Sequence, residues 1–341
     1  MRAIVKTEAG PGLTLVTVDA PAVDTNEVLL KVLKSSICGT DVHIYEWDKW
    51  AQRTIKAPLV LGHEFVGEVV QVGPGVQGYA VGDRVTAEGH LTCGRCRNCR
   101  AGKRHLCHRT RGIGVHRDGA FADYVVLPEF NLWPVHKDIP TEVASFLDPL
   151  GNAAHCALSF EMVAEDVLIT GAGPVGLMAS AICRFVGARH VVITDVNDYR
   201  LDLAKNLGAT RTVNVGRDSI ETALCDLEMS NGFDIGMEMS GNPTALRDML
   251  ASMYHGGRVT LLGFLPPSTQ INWDEVIFKG LVLKGIYGRE LFESWYKLTQ
   301  MIRSGLDVSA VVTHRFPAED FDEAFRVLQT GQCGKVVLEW A

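Results

Sequence analysis

Four cysteines, Cys93, Cys96, Cys99 and Cys107, fall within fifteen residues at the spacing C-x2-C-x2-C-x7-C. Four thiolates so placed fill a tetrahedral zinc and leave no position open, which is the pattern of a structural site. An iron–sulfur cluster and a set of free thiols are the competing readings. A second set, Cys38, His63 and Glu64, is dispersed. Singly, a cysteine or a histidine of this kind is most often a core or structural residue. Together, a thiolate, an imidazole and a carboxylate suit a zinc with one position left for substrate, where the metal stabilises a deprotonated alcohol. Asp148, just before Pro149, is either a further carboxylate beside that metal or a buried turn residue.

A third constellation is Gly171-Ala172-Gly173-Pro174-Val175-Gly176, which fits G-x-G-x-x-G. The first glycine allows a tight turn after a strand, the second admits a pyrophosphate against backbone, and the third lets helix pack on strand. Alone the motif is weak. Here an apolar run, DVLITGAG, precedes it, and a helical pattern, PVGLMASAICRFVGA, follows it. Asp195 ends the next strand-like run nineteen residues after Gly176. A carboxylate there accepts hydrogen bonds from the adenosine ribose and repels a 2′-phosphate, so NAD is expected and NADP is not. Arg200 is the contrary signal: it reads as a 2′-phosphate contact, a stack on adenine or a helix-surface charge.

Residues 1–140 must position the dispersed set, and they read as β-rich. A mixed strand pattern over 27–34, a valine-rich one over 64–72 and the entry to another over 82–87 are punctuated by Gly and Pro, as in a small antiparallel barrel. From about Asp166, strand and helix patterns alternate: strands over 166–173, 190–196, 233–239, 257–263 and 281–287, with helices between. That alternation predicts a parallel, doubly wound sheet. Amphipathic helices over 293–304 and 318–330 and a closing strand over 334–339 complete the chain.

With 341 residues the chain is long enough for two domains. A net charge of −7 argues against a nucleic-acid-binding surface, although Arg95, Arg97, Arg100, Lys103 and Arg104 form a local basic run. The nine cysteines are odd in number, four of them crowd between Cys93 and Cys107, and no export signal is visible. Metal ligation in a reducing compartment, the cytoplasm, is therefore expected over disulfides. Val167–Cys183 is uncharged but short and broken by glycines and a proline, so it reads as a buried strand, turn and helix, with no membrane span expected.

Gly62-His63-Glu64 with Gly67, Gly73 and Val76 matches G-H-E-x2-G-x5-G-x2-V. With Ile37–Asp41 (ICGTD), the cysteine lobe and the glycine loop, the chain resembles the zinc-containing medium-chain alcohol dehydrogenase family along its whole length. Cys38–Trp50, Glu88–Cys107, Phe146–His155, Val191–Ala204 and Phe278–Glu290 resemble the bacterial L-threonine 3-dehydrogenases within it. The resemblance implies a β-rich GroES-like catalytic domain over 1–150 with its zinc lobe at about 88–110. It further implies a doubly wound Rossmann domain over 151–290 and a segment, 291–341, returning to the first domain. It implies one catalytic and one structural zinc, NAD, L-threonine oxidised at its 3-hydroxyl to 2-amino-3-oxobutanoate, and a cytoplasmic homotetramer. By position, Cys38, His63 and Glu64 resemble the catalytic ligands, Thr40 and His43 a proton relay, and Asp148 a carboxylate assisting it. Val175, Asp195, Arg200, Leu262, Gly263, Phe264, Ile286 and Tyr287 resemble NAD contacts. A polyol or butanediol dehydrogenase is the rival within the class, and a non-catalytic NAD-binding protein the rival outside it.

Overall fold

A computed structural model describes residues 1–340. The chain divides into two compact units, one of residues 1–149, 290–299 and 312–341, the other of 150–289 and 300–311.

The first unit is built on a seven-stranded sheet. Its main path runs Leu132–Pro134, Arg84–Ala87, Phe65–Val72, Glu27–Ser36, Lys335–Glu339 and Val312–Pro317, with Tyr124–Pro128 also paired to Glu27–Ser36. Alternation in Glu27–Ser36 sends Val28, Leu30 and Val32 into the core while Lys31 faces out. Those side chains pack with Phe65, Val69, Phe121, Phe325 and Leu338. Each such buried side chain contributes about 1.5–3 kcal/mol. A three-stranded sheet of Thr14–Thr17, Arg2–Lys6 and Leu59–Val60 adjoins it in sequence, and His90–Leu91 pairs with Arg111–Gly112 at the cysteine lobe. The unit also carries helices Gly39–Glu46 and Lys49–Thr54, which the β-rich reading of 1–140 does not mark. Gly39–Glu46 buries only Asp41 and Ile44, so no apolar stripe announces it.

The second unit holds a six-stranded parallel sheet. Its order is Arg211–Asn214, His190–Asp195, Asp166–Thr170, Phe233–Glu238, Met253–Leu261 and Val282–Gly285. Numbered along the chain this is 3-2-1-4-5-6, the doubly wound arrangement expected from the alternation. Every residue of Asp166–Thr170 is buried, as a central strand covered on both faces requires. Leu168, Val192, Phe233, Met249 and Val259 form the core of one face. The apolar run Val167–Cys183 is a strand, a turn and the helix Pro174–Phe185, and no helix of the described residues is long and apolar enough to cross a membrane.

Candidate active site

Strand register brings the dispersed set together. Glu27–Ser36 pairs with Phe65–Val72 so that Ser35 faces Phe65, and Ser36 N–H donates to the Glu64 carbonyl at 2.9 Å. Cys38, two residues past one strand, thereby lies beside His63 and Glu64, which precede the other. Gly62 makes the entry possible: its φ is +89°, and a Cβ there would stand 2.2 Å from the Phe121 ring. The Cys38 thiol, one His63 ring nitrogen and one Glu64 carboxylate oxygen lie within 4.8 Å of one another.

The surroundings prepare these groups for a cation. Glu64 is 1% exposed, and its Oε2 accepts hydrogen bonds from Ser36 Oγ and Lys335 Nζ. Its Oε1 is buried without a hydrogen-bond partner. Asp41 Oδ2 accepts from the Cys38 N–H at 2.9 Å, and its Oδ1 stands 3.8 Å from His63 Nδ1. Burial opposes charge on the His63 ring, but the facing Cys38 and Asp41 outweigh it and raise the ring well above its ordinary value. Burial raises the Asp41 carboxyl, against the pull of His63. A buried oxygen without a partner, a cysteine free of any disulfide and negative groups gathered about an imidazole are the features expected where a divalent cation belongs. The sulfur, nitrogen and oxygen donors fit zinc with an open position.

Asp148 is 5% exposed in the first turn of helix Leu147–Ala157, and its Oδ2 accepts from the Gly89 N–H at 3.3 Å. It is not among the three groups whose ligand atoms cluster, and it acts on His63 as a nearby negative charge. Thr40 and His43 lie on helix Gly39–Glu46, three residues apart and so on one face. The Cys38 thiol lies 3.8 Å from Thr40 Oγ1. His43 Nδ1 is 2.9 Å from Asp48 Oδ2, and its side chain is 57% exposed. Asp48 is held in turn by the N–H groups of Trp50 and Ala51, at 2.9 and 2.8 Å.

In the lobe, the sulfurs of Cys93, Cys96, Cys99 and Cys107 also gather within 4.8 Å. Backbone N–H groups of Arg95 and Cys96 pull the Cys93 thiol down to about 6, whereas burial pushes Cys99 up to about 12. A metal that makes thiolates of all four resolves this conflict. The N–H groups of Cys93 and Arg109 each point at Cys107 Sγ from 3.4 Å, as donors to a ligating sulfur do.

The glycine loop joins strand Asp166–Thr170 to helix Pro174–Phe185 in the second unit. A Cβ on Gly176 would stand 2.0 Å from the Gly171 carbonyl, so only glycine permits this helix–strand approach. A Cβ on Gly173 would meet nothing within 4 Å, leaving room above the helix N-terminus for a phosphate. Pro174 and Val175 open that helix. Asp195 ends its strand. Its Oδ2 accepts from the Ala172 N–H at 2.7 Å and its Oδ1 from Val196 and Asn197 at 2.7 and 3.0 Å. Arg200, on helix Asp198–Lys205, has a buried Nε without a hydrogen-bond partner. Leu262, Gly263, Phe264, Ile286 and Tyr287 follow the carboxyl ends of neighbouring strands, where nucleotides bind such sheets. Phe264 is 96% exposed and Tyr287 49%.

Four further side chains shape these sites and lie outside the sequence expectations. Ser36, Asp41 and Lys335 surround the first metal set. Glu238 lies at 0% exposure beneath the nucleotide loops, where its Oε1 accepts from the N–H groups of Ser240 and Gly241, both at 2.9 Å. Asp41 sits inside the ICGTD stretch, three residues after Cys38, and that spacing is its local signal. Lys335 carries no local signal at all.

Residues 24–137 match the alcohol dehydrogenase GroES-like domain, and residues 174–304 the zinc-binding dehydrogenase family. L-threonine 3-dehydrogenases of Burkholderia ambifaria and Chromobacterium violaceum are each 57% identical to the chain over 340 residues. These matches span 100% of this chain and 99% and 100% of the relatives. The crystal structure of a short-chain alcohol dehydrogenase from Escherichia coli CFT073, complexed with cofactor NADH, matches with a TM-score of 0.90 at 26% identity, covering 99% of each chain. Two family matches in order along the chain, full-length relatives and paired metal sites lead to one conclusion: the chain belongs to the zinc-containing medium-chain alcohol dehydrogenase family.

Proposed function

We propose that the protein is an L-threonine 3-dehydrogenase, which oxidises the 3-hydroxyl of L-threonine with NAD to give 2-amino-3-oxobutanoate and NADH. The observation that carries the substrate is the 57% identity to L-threonine 3-dehydrogenases over the full chain. The observation that carries the chemistry is the cluster of Cys38, His63 and Glu64, with its unpartnered Glu64 oxygen.

When bound, zinc supplies Lewis acidity toward the substrate oxygen, as it does when it lowers the pKa of water to about 7. The nicotinamide ring supplies the hydride acceptor. In this reading Cys38, His63 and Glu64 hold the first ion, and Asp41 orients the His63 ring from its Nδ1 side. Thr40 Oγ1 accepts the substrate hydroxyl proton as it gives its own to His43, which passes a proton to solvent. Bonding of His43 Nδ1 to Asp48 leaves Nε2 as the atom that carries the proton. Asp148 adds negative charge near His63 and assists the relay without ligation. Cys93, Cys96, Cys99 and Cys107 hold the second ion as a brace for the lobe.

For the cofactor, Gly171, Gly173, Val175 and Gly176 shape the pyrophosphate turn, while Asp195 takes the ribose and excludes NADP. Arg200 flanks the adenosine end. Leu262, Gly263, Phe264, Ile286 and Tyr287 lie along the remainder of the dinucleotide. In this reading residues 1–150 and 291–341 are the catalytic part and 151–290 the NAD-binding part, with 300–311 of the returning segment packed in the second unit. The same reading takes the protein to be cytoplasmic and a homotetramer, and light scattering of the purified protein measures the oligomer directly.

A substrate panel tests the proposal: NAD reduction with L-threonine, D-threonine, L-serine, sorbitol and 2,3-butanediol. L-threonine is expected to give the highest kcat/KM. A higher value for sorbitol or butanediol overturns the substrate, and no turnover on any alcohol by protein carrying zinc and NAD overturns the enzyme reading.

A further inference from the structure

The two oxygens of Glu64 meet different surroundings. Oε2 is taken by Ser36 Oγ and Lys335 Nζ, whereas Oε1 has no hydrogen bond although it is buried. Lys335 opens a strand that lies between Glu27–Ser36 and Val312–Pro317 in the seven-stranded sheet, and it is 3% exposed. Lysine is almost never buried to this extent unless paired, because desolvation of the ammonium must be offset. Its other hydrogen bond goes to the carbonyl of Ile37 at 2.9 Å, the residue before Cys38. One ammonium therefore touches both chain segments that bring groups to the metal set.

We infer that Lys335 is a positioning residue for the metal site: by occupying Oε2 with help from Ser36, it turns Oε1 toward the ion, and through Ile37 it steadies the backbone that carries Cys38. The inference rests on the reading of Cys38, His63 and Glu64 as metal ligands. Two effects of the ammonium have opposite signs. As a bare charge it repels a divalent cation, so its removal would tighten the metal. As a donor that orients a ligand it strengthens the site, and loss of such outer contacts weakens metal affinity about 10–100-fold.

Zinc release to a chromophoric chelator separates these roles. Wild type is expected to release two zincs per chain in two phases. Lys335→Met should accelerate one phase tenfold or more and leave the lobe phase unchanged. Lys335→Arg should recover part of the loss, and Ser36→Ala should shift the same phase by a smaller factor. In a Glu64→Gln background, Lys335→Met should add much less than in wild type, because only the contact with Ile37 then remains to be lost. Should Lys335→Met fail to fold, the same cycle with Ser36→Ala decides. Unchanged or slower release in Lys335→Met overturns the inference, as does an equal acceleration in the Glu64→Gln background. A wild-type chain with only the lobe zinc would instead remove the metal reading, and the inference with it.

Discussion

The carboxylate of Asp195 accepts a hydrogen bond from the backbone N–H of Ala172 at 2.7 Å. The residue that ends one strand therefore buttresses the glycine turn that follows its neighbour. Asp195→Ala removes a charge-assisted contact of about 1.5–3 kcal/mol and the negative charge that repels a 2′-phosphate. The expected outcome is a tenfold or greater rise in KM for NAD, with NADP becoming the better cofactor by kcat/KM. An unchanged NAD to NADP ratio would take Asp195 out of cofactor choice.

His43 faces solvent while bonded to Asp48, the geometry of a group that hands protons to water. His43→Ala should lower kcat by about 10²–10⁴, the usual worth of a positioned acid–base group, and added imidazole should restore part of it. Zinc content and NAD affinity should not change. Wild-type turnover across pH would exclude His43 from the relay.

The lobe makes a separate prediction. Its four sulfurs close a metal site without an open position. Cys99→Ser should lower bound zinc from two per chain to one and reduce Tm, because metal binding here is also folding free energy. The zinc that remains should be the one lost in Cys38→Ser. A Cys99→Ser protein with two zincs and an unchanged Tm would show that the lobe is not a metal site.

Much of this was legible where the signal is local. The lobe cysteines and the glycine turn sit in short stretches whose spacing alone states their geometry. Cys38, His63 and Glu64 were legible by type, but only the pairing of Ser35 with Phe65 explains their proximity. Lys335 was invisible because it reaches Glu64 across 271 positions of sequence, and nothing in its own neighbourhood differs from an ordinary strand. The strand expected over 281–287 is shorter, Val282–Gly285, and Ile286 N–H makes one further bond to the neighbouring Leu261 carbonyl at 2.9 Å. Helix Gly39–Glu46, which carries both proposed relay residues, lacked the periodic apolar face that marks most helices.

A surface pair offers a test on the second unit that is independent of metal. Hydrogen bonds from Arg217, then Asn214, pull the Asp198 carboxyl down to about 2. A folded pKa below the unfolded value adds stability that is present above the unfolded value near 4 and lost as pH falls through about 2. Arg217→Ala should move the Asp198 carbon-13 carboxyl titration up toward the ordinary range. Its urea midpoint should sit slightly below wild type at pH 6, with the gap closing in acid. An Asp198 titration that does not move would show that Arg217 is not its partner in solution.

If Cys38, His63 and Glu64 hold a zinc on which oxidation of L-threonine depends, loss of one ligand removes metal and turnover together. Zinc content and L-threonine-dependent NADH formation, measured together on wild type and Cys38→Ser, test it most directly. Wild type is expected to hold two zincs and turn over, against one zinc and no turnover above background for the variant. A variant that keeps both metals, or that keeps full activity with one, would contradict it.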